Sequence, residues 1–321
     1  MFRAGALADS PEILGGGIWE RFELLTTTRA LGAAPIELAQ RAAVVHQVEQ
    51  GEVPYVAASI IDRVRNPTLV ALGGGRVIDT AKAVAALRGG RVCAVPTTLS
   101  GAEMTRIHRF PAGREAYARR RVRPVLVIAD PLVMTTLDDG RLRASAMNAL
   151  AHGAEALYVP LANPVASLAA LRGAELMAGA LDQPHGERDR GALALGSLLA
   201  AYALDATGFA LHHVVCQTLV RMLGTPHGET NATMLPRTME MMRPRAPDEI
   251  SALAGALGAK PKEIRRRIES LGGGPRRLRE LGACAERLES ARHAMLQRPE
   301  LENTPDPPGP EELQRLIDDA W

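Results

Sequence analysis

The central motif of the chain reads Leu72-Gly73-Gly74-Gly75-Arg76-Val77-Ile78-Asp79-Thr80-Ala81-Lys82. A strand that ends at Leu72, three glycines and a helix that begins near Val77 bring backbone N–H groups to a place where no Cβ atom obstructs an anion. A diphosphate group is the natural ligand of such a turn. A triple glycine is also compatible with a simple strand-to-helix connection, since the spaced Gly-x-Gly-x-x-Gly of the usual dinucleotide fingerprint is missing.

Short apolar runs surround this motif in the first part of the chain. They alternate with helical patterns and are apolar on both faces, which is typical of buried parallel strands joined by crossover helices. The runs cover residues 22–26, 68–72, 91–95 and 125–129. We therefore predict an α/β domain with a parallel sheet over residues 1–130.

Long segments rich in alanine and leucine dominate after Asp130-Pro131. Because they exceed ordinary strands in length and their apolar spacing follows helical periods, we predict an all-helical domain over residues 131–321. The segments cover residues 142–158, 164–181, 191–207 and 208–223. Residues 298–310 are rich in proline and acidic residues and predict a surface loop before a last short helix.

Charge and cysteine content argue against several classes of function. The chain has 38 Lys and Arg against 36 Asp and Glu, scattered except for basic runs at residues 119–123 and 265–267, so no nucleic-acid surface is indicated. Its 3 cysteines are widely spaced and fit reduced thiols rather than a disulfide framework. Neither a signal sequence nor a membrane-spanning apolar run is visible. We expect a cytoplasmic protein without membrane or nucleic-acid partners.

Further motifs follow the glycine run in order along the chain. They are Val95-Pro96-Thr97-Thr98-Leu99-Ser100-Gly101-Ala102-Glu103-Met104-Thr105, Asp130-Pro131, and residues 144–158 and 226–236. Together with Gly-Gly-Gly-x-x-x-Asp-x-Ala-Lys, they resemble the iron-containing (group III) alcohol dehydrogenase superfamily. Within it, Met147-Asn148-Ala149-Leu150-Ala151-His152 and Ala162-Asn163-Pro164 resemble signatures of maleylacetate reductases.

This resemblance implies a dehydroquinate synthase-like, group III alcohol dehydrogenase fold, in which an α/β dinucleotide-binding domain precedes an all-helical catalytic domain. NADH and NADPH both remain open as the cofactor. The strand end Thr26-Thr27-Thr28-Arg29 has no acid for a ribose 2′-hydroxyl, and Arg29 would favour a 2′-phosphate. A homodimer and a small carboxylate substrate are implied by analogy. The implied cofactor-binding residues are Gly73, Gly74, Gly75, Asp79, Thr97, Thr98 and Leu137.

The resemblance also raises the question of a metal. Dehydrogenases of the superfamily hold Fe²⁺ or Zn²⁺ with one Asp and three His, and the Asp and first His lie four residues apart on one helix face. The matching positions in this chain are Asn148, His152, His213 and His227. Because a neutral amide replaces the only anionic ligand, affinity for a dication should fall, and the resembling maleylacetate reductases work without a required metal. We therefore expect that no metal is required.

The same residues are the candidate catalytic groups. An imidazole facing the substrate can donate a proton or stabilise developing enolate charge, because its unperturbed pKa lies near neutrality. Asn148 completes this set beside His152, His213 and His227. Two departures from the family pattern stand out: Gln217 replaces a second His after His213, and Arg76 replaces a Ser or Thr after the glycines.

Three functions remain open at this point. The first is a metal-independent reductase of the maleylacetate reductase type, which transfers hydride from NADH or NADPH to an activated C=C or C=O and converts maleylacetate to 3-oxoadipate in aromatic catabolism. The second is a metal-dependent alcohol dehydrogenase in which Asn148 binds the ion through its carbonyl oxygen. The third is a non-catalytic nucleotide-binding homologue.

Overall fold

The computed structural model describes residues 1–117 and 120–321, and the chain divides into two compact units, Met1–Thr136 and Leu137–Trp321. Arg119, part of the basic run at residues 119–123, lies outside the described residues. The division falls close to the boundary predicted after residue 130. The assignment of the first unit to dinucleotide binding and the second to catalysis stays a prediction.

The first unit is built on one sheet, in which all the neighbouring strands among the described residues run parallel in the order β2-β1-β3-β4-β5. The prediction of a parallel α/β sheet is confirmed. The sequence reading missed β2, an edge strand that is mostly exposed and therefore lacks an apolar run. The strands are β1 Glu23–Thr26, β2 Val44–Gln47, β3 Thr68–Gly73, β4 Arg91–Pro96 and β5 Leu126–Val127.

Helices cover both faces of this sheet. Successive residues of β3 point to opposite sides, so Leu69 and Ala71 join one buried cluster while Val70 and Leu72 join the other. This double burial is the reason why β3 is apolar throughout. The helices are α1 Ser10–Ile13, α2 Thr28–Gly32, α3 Ile36–Arg41, α4 Val53–Ile61, α5 Gly75–Arg88 and α6 Pro131–Met134.

The second unit is helical throughout its described residues, as predicted. Capping side chains begin several helices: Asn163 accepts a hydrogen bond from the Ala166 N–H (3.0 Å) and Asp189 accepts one from the Ala192 N–H (2.8 Å). The helices are α7 Asp139–Ala156, α8 Pro164–Leu181, α9 Arg190–Thr207, α10 Leu211–Leu223, α11 His227–Met242, α12 Pro247–Ala256, α13 Ile264–Leu271, α14 Leu288–Leu296 and α15 Pro310–Ala320.

Close helix packing explains the abundance of small residues in this unit. A Cβ atom on Gly173 of α8 would lie 2.8 Å from the carbonyl oxygen of Gly196 in α9, so only glycine permits this approach. Helix α7 packs against both α8 and α9 and is buried along most of its length. The helix that carries Asn148 and His152 is thus fixed on several sides.

The segment predicted as a surface loop is partly a structural element, and that prediction was wrong. Pro299–Asn303 form a 3-10 helix in which Leu301 is buried. The side chain of Asn303 donates to the carbonyl oxygen of Phe209 (2.9 Å), and the Leu211 N–H donates to the hydroxyl of Thr304 (3.1 Å). The segment therefore holds the start of α10, two residues before His213.

The two tryptophans of the chain lie in different units. Trp19 ends the 3-10 helix Gly17–Trp19 and packs in a core cluster of the first unit, while Trp321 follows α15 in the second. Within the described residues, no helix is by itself long and apolar enough to cross a membrane. Only the pair Arg190–Thr207 and Leu211–Leu223, bent by 101°, meets that length and composition.

Candidate functional site

The glycine run lies at the carboxyl end of β3. Gly74 is the N-cap of α5 in an extended conformation, and no side chain in the described part of the chain caps the helix. The N–H groups of Val77 and Ile78 bond to the Gly74 carbonyl oxygen, so the N–H groups that this helix start can offer an anion are those of Gly75 and Arg76. With the helix dipole, they provide an anion-binding position.

The loop after β4 packs directly on these glycines. A Cβ atom on Gly74 would lie 3.2 Å from the Thr98 side chain, and one on Gly75 would lie 3.0 Å from the Cβ of Ser100. The Thr97 N–H donates to the Gly73 carbonyl oxygen (3.0 Å). The structure thus brings together Thr97, Thr98 and the three glycines, whose role in cofactor binding stays a prediction.

Asp79 is tied to a buried lysine that the sequence reading did not single out. The Nζ atom of Lys82 donates to the Asp79 carboxylate (2.7 Å) and to the carbonyl oxygens of Ala102 (2.9 Å) and Ile107 (2.8 Å). Lys82 is fully buried, whereas the Asp79 side chain is 28% exposed. This network fixes the loop after β4 against α5.

Glu103 in the same loop is fully buried, and neither of its carboxylate oxygens has a hydrogen-bond partner within the described residues. Burial raises its pKa to about 7, and its own backbone N–H and the nearby Lys82 charge oppose this only in part. A carboxyl group in this setting is largely protonated below neutral pH.

Leu137, the remaining predicted cofactor-binding residue, is the first residue of the second unit and is half-buried. It precedes the N-cap of α7, where the Asp138 carboxylate accepts from the Arg141 N–H (3.0 Å). Its role as a cofactor-wall residue stays a prediction.

The second unit brings the four predicted catalytic residues together: Asn148, His152 and His213 are buried, whereas His227 is exposed. Asn148 and His152 lie one turn apart on α7, with a weak 3.5 Å contact between the amide Nδ2 and the ring Nε2. His227, the first residue of α11, donates from Nε2 to the Asn148 Oδ1 (3.1 Å). The rings of His152 and His213 stack with centroids 5.0 Å apart. We call Asn148, His152, His213 and His227 the histidine cluster.

A glutamate that the sequence reading missed orients His213. Glu155 on α7 is fully buried, and its carboxylate contacts the ring Nδ1 of His213 at 2.5 Å. The same carboxylate accepts from the backbone N–H groups of His212 (2.6 Å) and His213 (3.4 Å). His213 therefore carries its proton on Nδ1, and its Nε2 is buried without a hydrogen-bond partner among the described residues.

His212, the neighbour of His213 in sequence, has different hydrogen-bond partners. Its Nδ1 pairs with the Thr238 hydroxyl (3.0 Å) and its Nε2 donates to the Asn231 Oδ1 (2.8 Å), so both ring nitrogens are satisfied. The Asn231 amide in turn donates to the carbonyl oxygen of His227 (2.8 Å). His212 thus supports the start of α11.

Burial keeps three of the imidazoles in this region neutral, those of His152, His212 and His213. Desolvation lowers the pKa of His213 to about 3, with a smaller contribution from His227, and lowers the pKa of His212 to about 4. Desolvation and the neighbouring imidazoles also hold the pKa of His152 well below its ordinary value. These three rings are therefore neutral at physiological pH and have lone pairs for hydrogen bonds or a metal.

Gln217, the departure from the family pattern, lies one turn after His213 on α10. Its Oε1 accepts from the Nη2 of Arg298 (3.1 Å), whose Nε donates to Glu300 (2.9 Å). The Arg298 side chain is 18% exposed. The sequence reading did not name Arg298, because 81 residues separate it from Gln217.

Both units match one family along nearly their whole length. Residues 13–131 match the iron-containing alcohol dehydrogenase description, and residues 143–321 match the C-terminal part of the Fe-containing alcohol dehydrogenase family. The chain belongs to the iron-containing alcohol dehydrogenase family. It is therefore an oxidoreductase, and the hypothesis of a non-catalytic homologue is not supported.

Maleylacetate reductases are among the similar members of this family. Maleylacetate reductase 1 of Rhodococcus opacus is 33% identical over 252 residues, which cover 75% of this chain and 69% of that protein. The crystal structure of maleylacetate reductase from Agrobacterium tumefaciens superposes with a TM-score of 0.84 at 30% identity, over 100% of this chain and 95% of that one. An iron-containing alcohol dehydrogenase from Corynebacterium glutamicum gives a TM-score of 0.84 at 26% identity, with 100% and 94% covered.

The expectation that no metal is required was wrong. Membership of an iron-containing family implies a bound iron ion, and iron-containing alcohol dehydrogenases are among the similar structures. That expectation rested on the charge lost at Asn148 and on the resemblance to maleylacetate reductases. An amide still offers a neutral oxygen donor, and three imidazoles remain beside it.

The donor chemistry of the histidine cluster fits such an ion. The donors are three imidazoles and an amide oxygen, and the amide of Asn148 contacts both His152 and His227. Within the described residues, however, no three His, Cys, Asp or Glu side chains are arranged as a metal-holding group, so the imidazoles would have to move toward one another to share an ion. The unpartnered Nε2 of His213, turned by the contact between Nδ1 and Glu155, is typical of a metal-ligating histidine. His152, His213, His227 and the Asn148 oxygen would hold the ion.

Proposed function

We propose that this protein is a reductase of the maleylacetate reductase type, which uses NADH or NADPH to convert maleylacetate to 3-oxoadipate. The observation that carries the proposal is the histidine cluster with an amide at Asn148, in a chain that is similar to maleylacetate reductases over most of its length. An alcohol dehydrogenase acting on a simple alcohol is the competing function within the family.

The residues of the histidine cluster have different roles in the proposed reaction. The Asn148 Oδ1 accepts from Nε2 of His227, and its Nδ2 faces Nε2 of His152 at 3.5 Å. Whether this amide or a bound ion takes the Nε2 lone pair of His152, the proton of that ring is on Nδ1. That Nδ1–H is buried without a partner among the described residues and is therefore available to a developing enolate or alkoxide oxygen. When bound, the reduced nicotinamide supplies the hydride and iron supplies Lewis-acid polarisation of the acceptor oxygen.

Arg298 favours a substrate that carries a carboxylate. Its guanidinium is held by Gln217 and Glu300, and Gln217 lies on the same face of α10 as His213. A guanidinium with fixed orientation binds a carboxylate through two parallel hydrogen bonds. We propose that Arg298 would recognise one carboxylate of a dicarboxylate substrate while the histidine cluster acts on the other end.

The test of the function is steady-state oxidation of NADH and NADPH by iron-loaded protein. We expect turnover with maleylacetate and at least about tenfold lower kcat/KM with simple aldehydes of similar size, because these lack the carboxylates. Efficient turnover of simple alcohols or aldehydes without turnover of maleylacetate would establish the competing function.

Arg298→Gln sharpens this test. Loss of a charge-assisted carboxylate contact should raise KM for maleylacetate about tenfold to a hundredfold, with little change in kcat. Arg292→Gln, on the neighbouring helix α14, is the matched control. An equal loss of kcat with maleylacetate and with an uncharged substrate would contradict the assignment of Arg298 to substrate binding.

A further inference from the structure

Arg76 occupies an unusual position for a cation, the second residue of α5. The N-terminus of a helix carries a partial positive charge, so an arginine there is disfavoured unless an anion is present. Asp79, one turn later, is engaged by Lys82 at 2.7 Å. The Nη1 of Arg76 donates only to a neutral group, the Gln50 Oε1 (2.8 Å), and its Nε is buried without a partner among the described residues.

The contact with Gln50 shows the direction in which this side chain extends. Gln50 follows β2, while the glycine run follows β3, and β1 lies between those two strands. Neighbouring strands are about 4.8 Å apart, so the two strand ends are separated by about 10 Å. The guanidinium therefore reaches from the diphosphate position across the carboxyl end of β1, where the adenosine ribose of a dinucleotide would lie.

The other groups at this edge suit a phosphate better than a ribose diol. The strand β1 ends in threonines, and the Thr27 side chain accepts from the Ala30 N–H to cap α2 (3.3 Å). Thr28 donates to Gln47 (3.4 Å), and Glu52 is paired with Arg109 (2.8 Å). An acid at this strand end would bind the 2′-hydroxyl and repel a 2′-phosphate, whereas a nearby arginine accommodates the phosphate.

We propose that Arg76, positioned by Gln50, binds the 2′-phosphate of the adenosine ribose and makes NADPH the preferred cofactor. This assignment of Arg76 rests on the proposed function only in that the cofactor is a nicotinamide dinucleotide. It assigns a role to the arginine that departs from the family pattern, and it places the specificity determinant on α5 rather than at Arg29.

The experiment is isothermal titration of the full-length protein with NADPH and with NADH, in the absence of substrate. The wild type should bind NADPH at least about tenfold more tightly than NADH. Arg76→Ser should lower the affinity for NADPH about tenfold to a hundredfold and change the affinity for NADH less than about threefold. Arg29→Ser, a matched change at an exposed arginine of the same edge, should leave the preference intact.

Gln50→Glu provides a second variant, in an exposed loop where folding is not at risk. A carboxylate beside Arg76 should weaken NADPH binding selectively through repulsion of the 2′-phosphate. Equal affinities in the wild type, an equal loss for both cofactors in Arg76→Ser, or loss of the preference in Arg29→Ser would each overturn the proposal. Because no substrate is present, a failure to reduce maleylacetate would affect only the proposed function.

Discussion

Each unit contains a glutamate with no exposed surface, Glu103 in the first and Glu155 in the second, and the two differ in their hydrogen-bond partners. Glu155 accepts from two backbone N–H groups and contacts the ring of His213, while neither oxygen of Glu103 has a hydrogen-bond partner in the described part of the chain. Burial raises the pKa of both carboxyls, but only at Glu155 do several hydrogen bonds oppose the shift. The carboxyl group of Glu155 orients a reactive ring, whereas that of Glu103 has no such partner and takes up a proton as the pH falls below about 7.

The largest effect should follow from removing the ring that Glu155 orients. We expect His213→Ala to lower kcat by about 10²- to 10⁴-fold, because a positioned imidazole is lost and Glu155 loses its closest partner. The binding of NADPH measured by titration should be unchanged. The exposed His293→Ala is the control, and a similar loss of kcat in both variants would show that the cluster has no special role.

The second prediction concerns stability and pH. The folded pKa of Glu103 is about 7, above its ordinary value of 4.5, so the folded protein binds the proton more tightly and loses stability as pH rises through that window. Glu103→Gln removes this loss and should stabilise the protein by up to about 3 kcal/mol at pH 8, with a gain that shrinks toward pH 4.

Urea unfolding at pH 5, 6, 7 and 8 measures this difference, with the exposed Glu20→Gln as control. A Glu103→Gln variant that is destabilised at pH 8 would show that the charged carboxylate is needed, most directly by the nearby Lys82.

The third prediction concerns a variant that reverses the direction of the hydrogen bond between Glu155 and His213. In Glu155→Gln, an amide N–H₂ facing His213 would move the ring proton from Nδ1 to Nε2, so kcat and iron occupancy should fall about tenfold to a hundredfold. The nitrogen-15 shifts of the His213 ring report the tautomer directly. Glu175→Gln, an exposed glutamate of α8, is the matched control. An unchanged tautomer with reduced activity would contradict the orienting role.

Local patterns in the sequence were sufficient for much of the fold. The apolar run at residues 68–72 predicted β3, and the capped alanine-rich segment at residues 164–181 predicted α8. The edge strand Val44–Gln47 was missed because its burial is partial. The proline content of the tail near Leu301 predicts a surface loop, because composition carries no signal of the tertiary contact that this tail makes with the start of α10.

The residues of the candidate site were harder to predict from sequence than the fold. Glycines and histidines at family spacing pointed to the two regions, but Glu155 and Arg298 meet their partners across 58 and 81 residues and leave no local signal. A charged residue within the buried pattern of α7 was the one available hint for Glu155. The metal prediction was wrong because the charge lost at position 148 and the resemblance to maleylacetate reductases were given more weight than the three histidines at the other ligand positions.

The placement of the two tryptophans gives each unit its own optical reporter. Trp19 is buried in the core of the first unit and Trp321 lies beside the last helix of the second, and the chain has no other tryptophan. Intrinsic fluorescence of Trp19→Phe and Trp321→Phe would therefore follow the melting of one unit at a time. Energy transfer from each indole to a bound reduced nicotinamide would give a separate distance for each unit, without any added label.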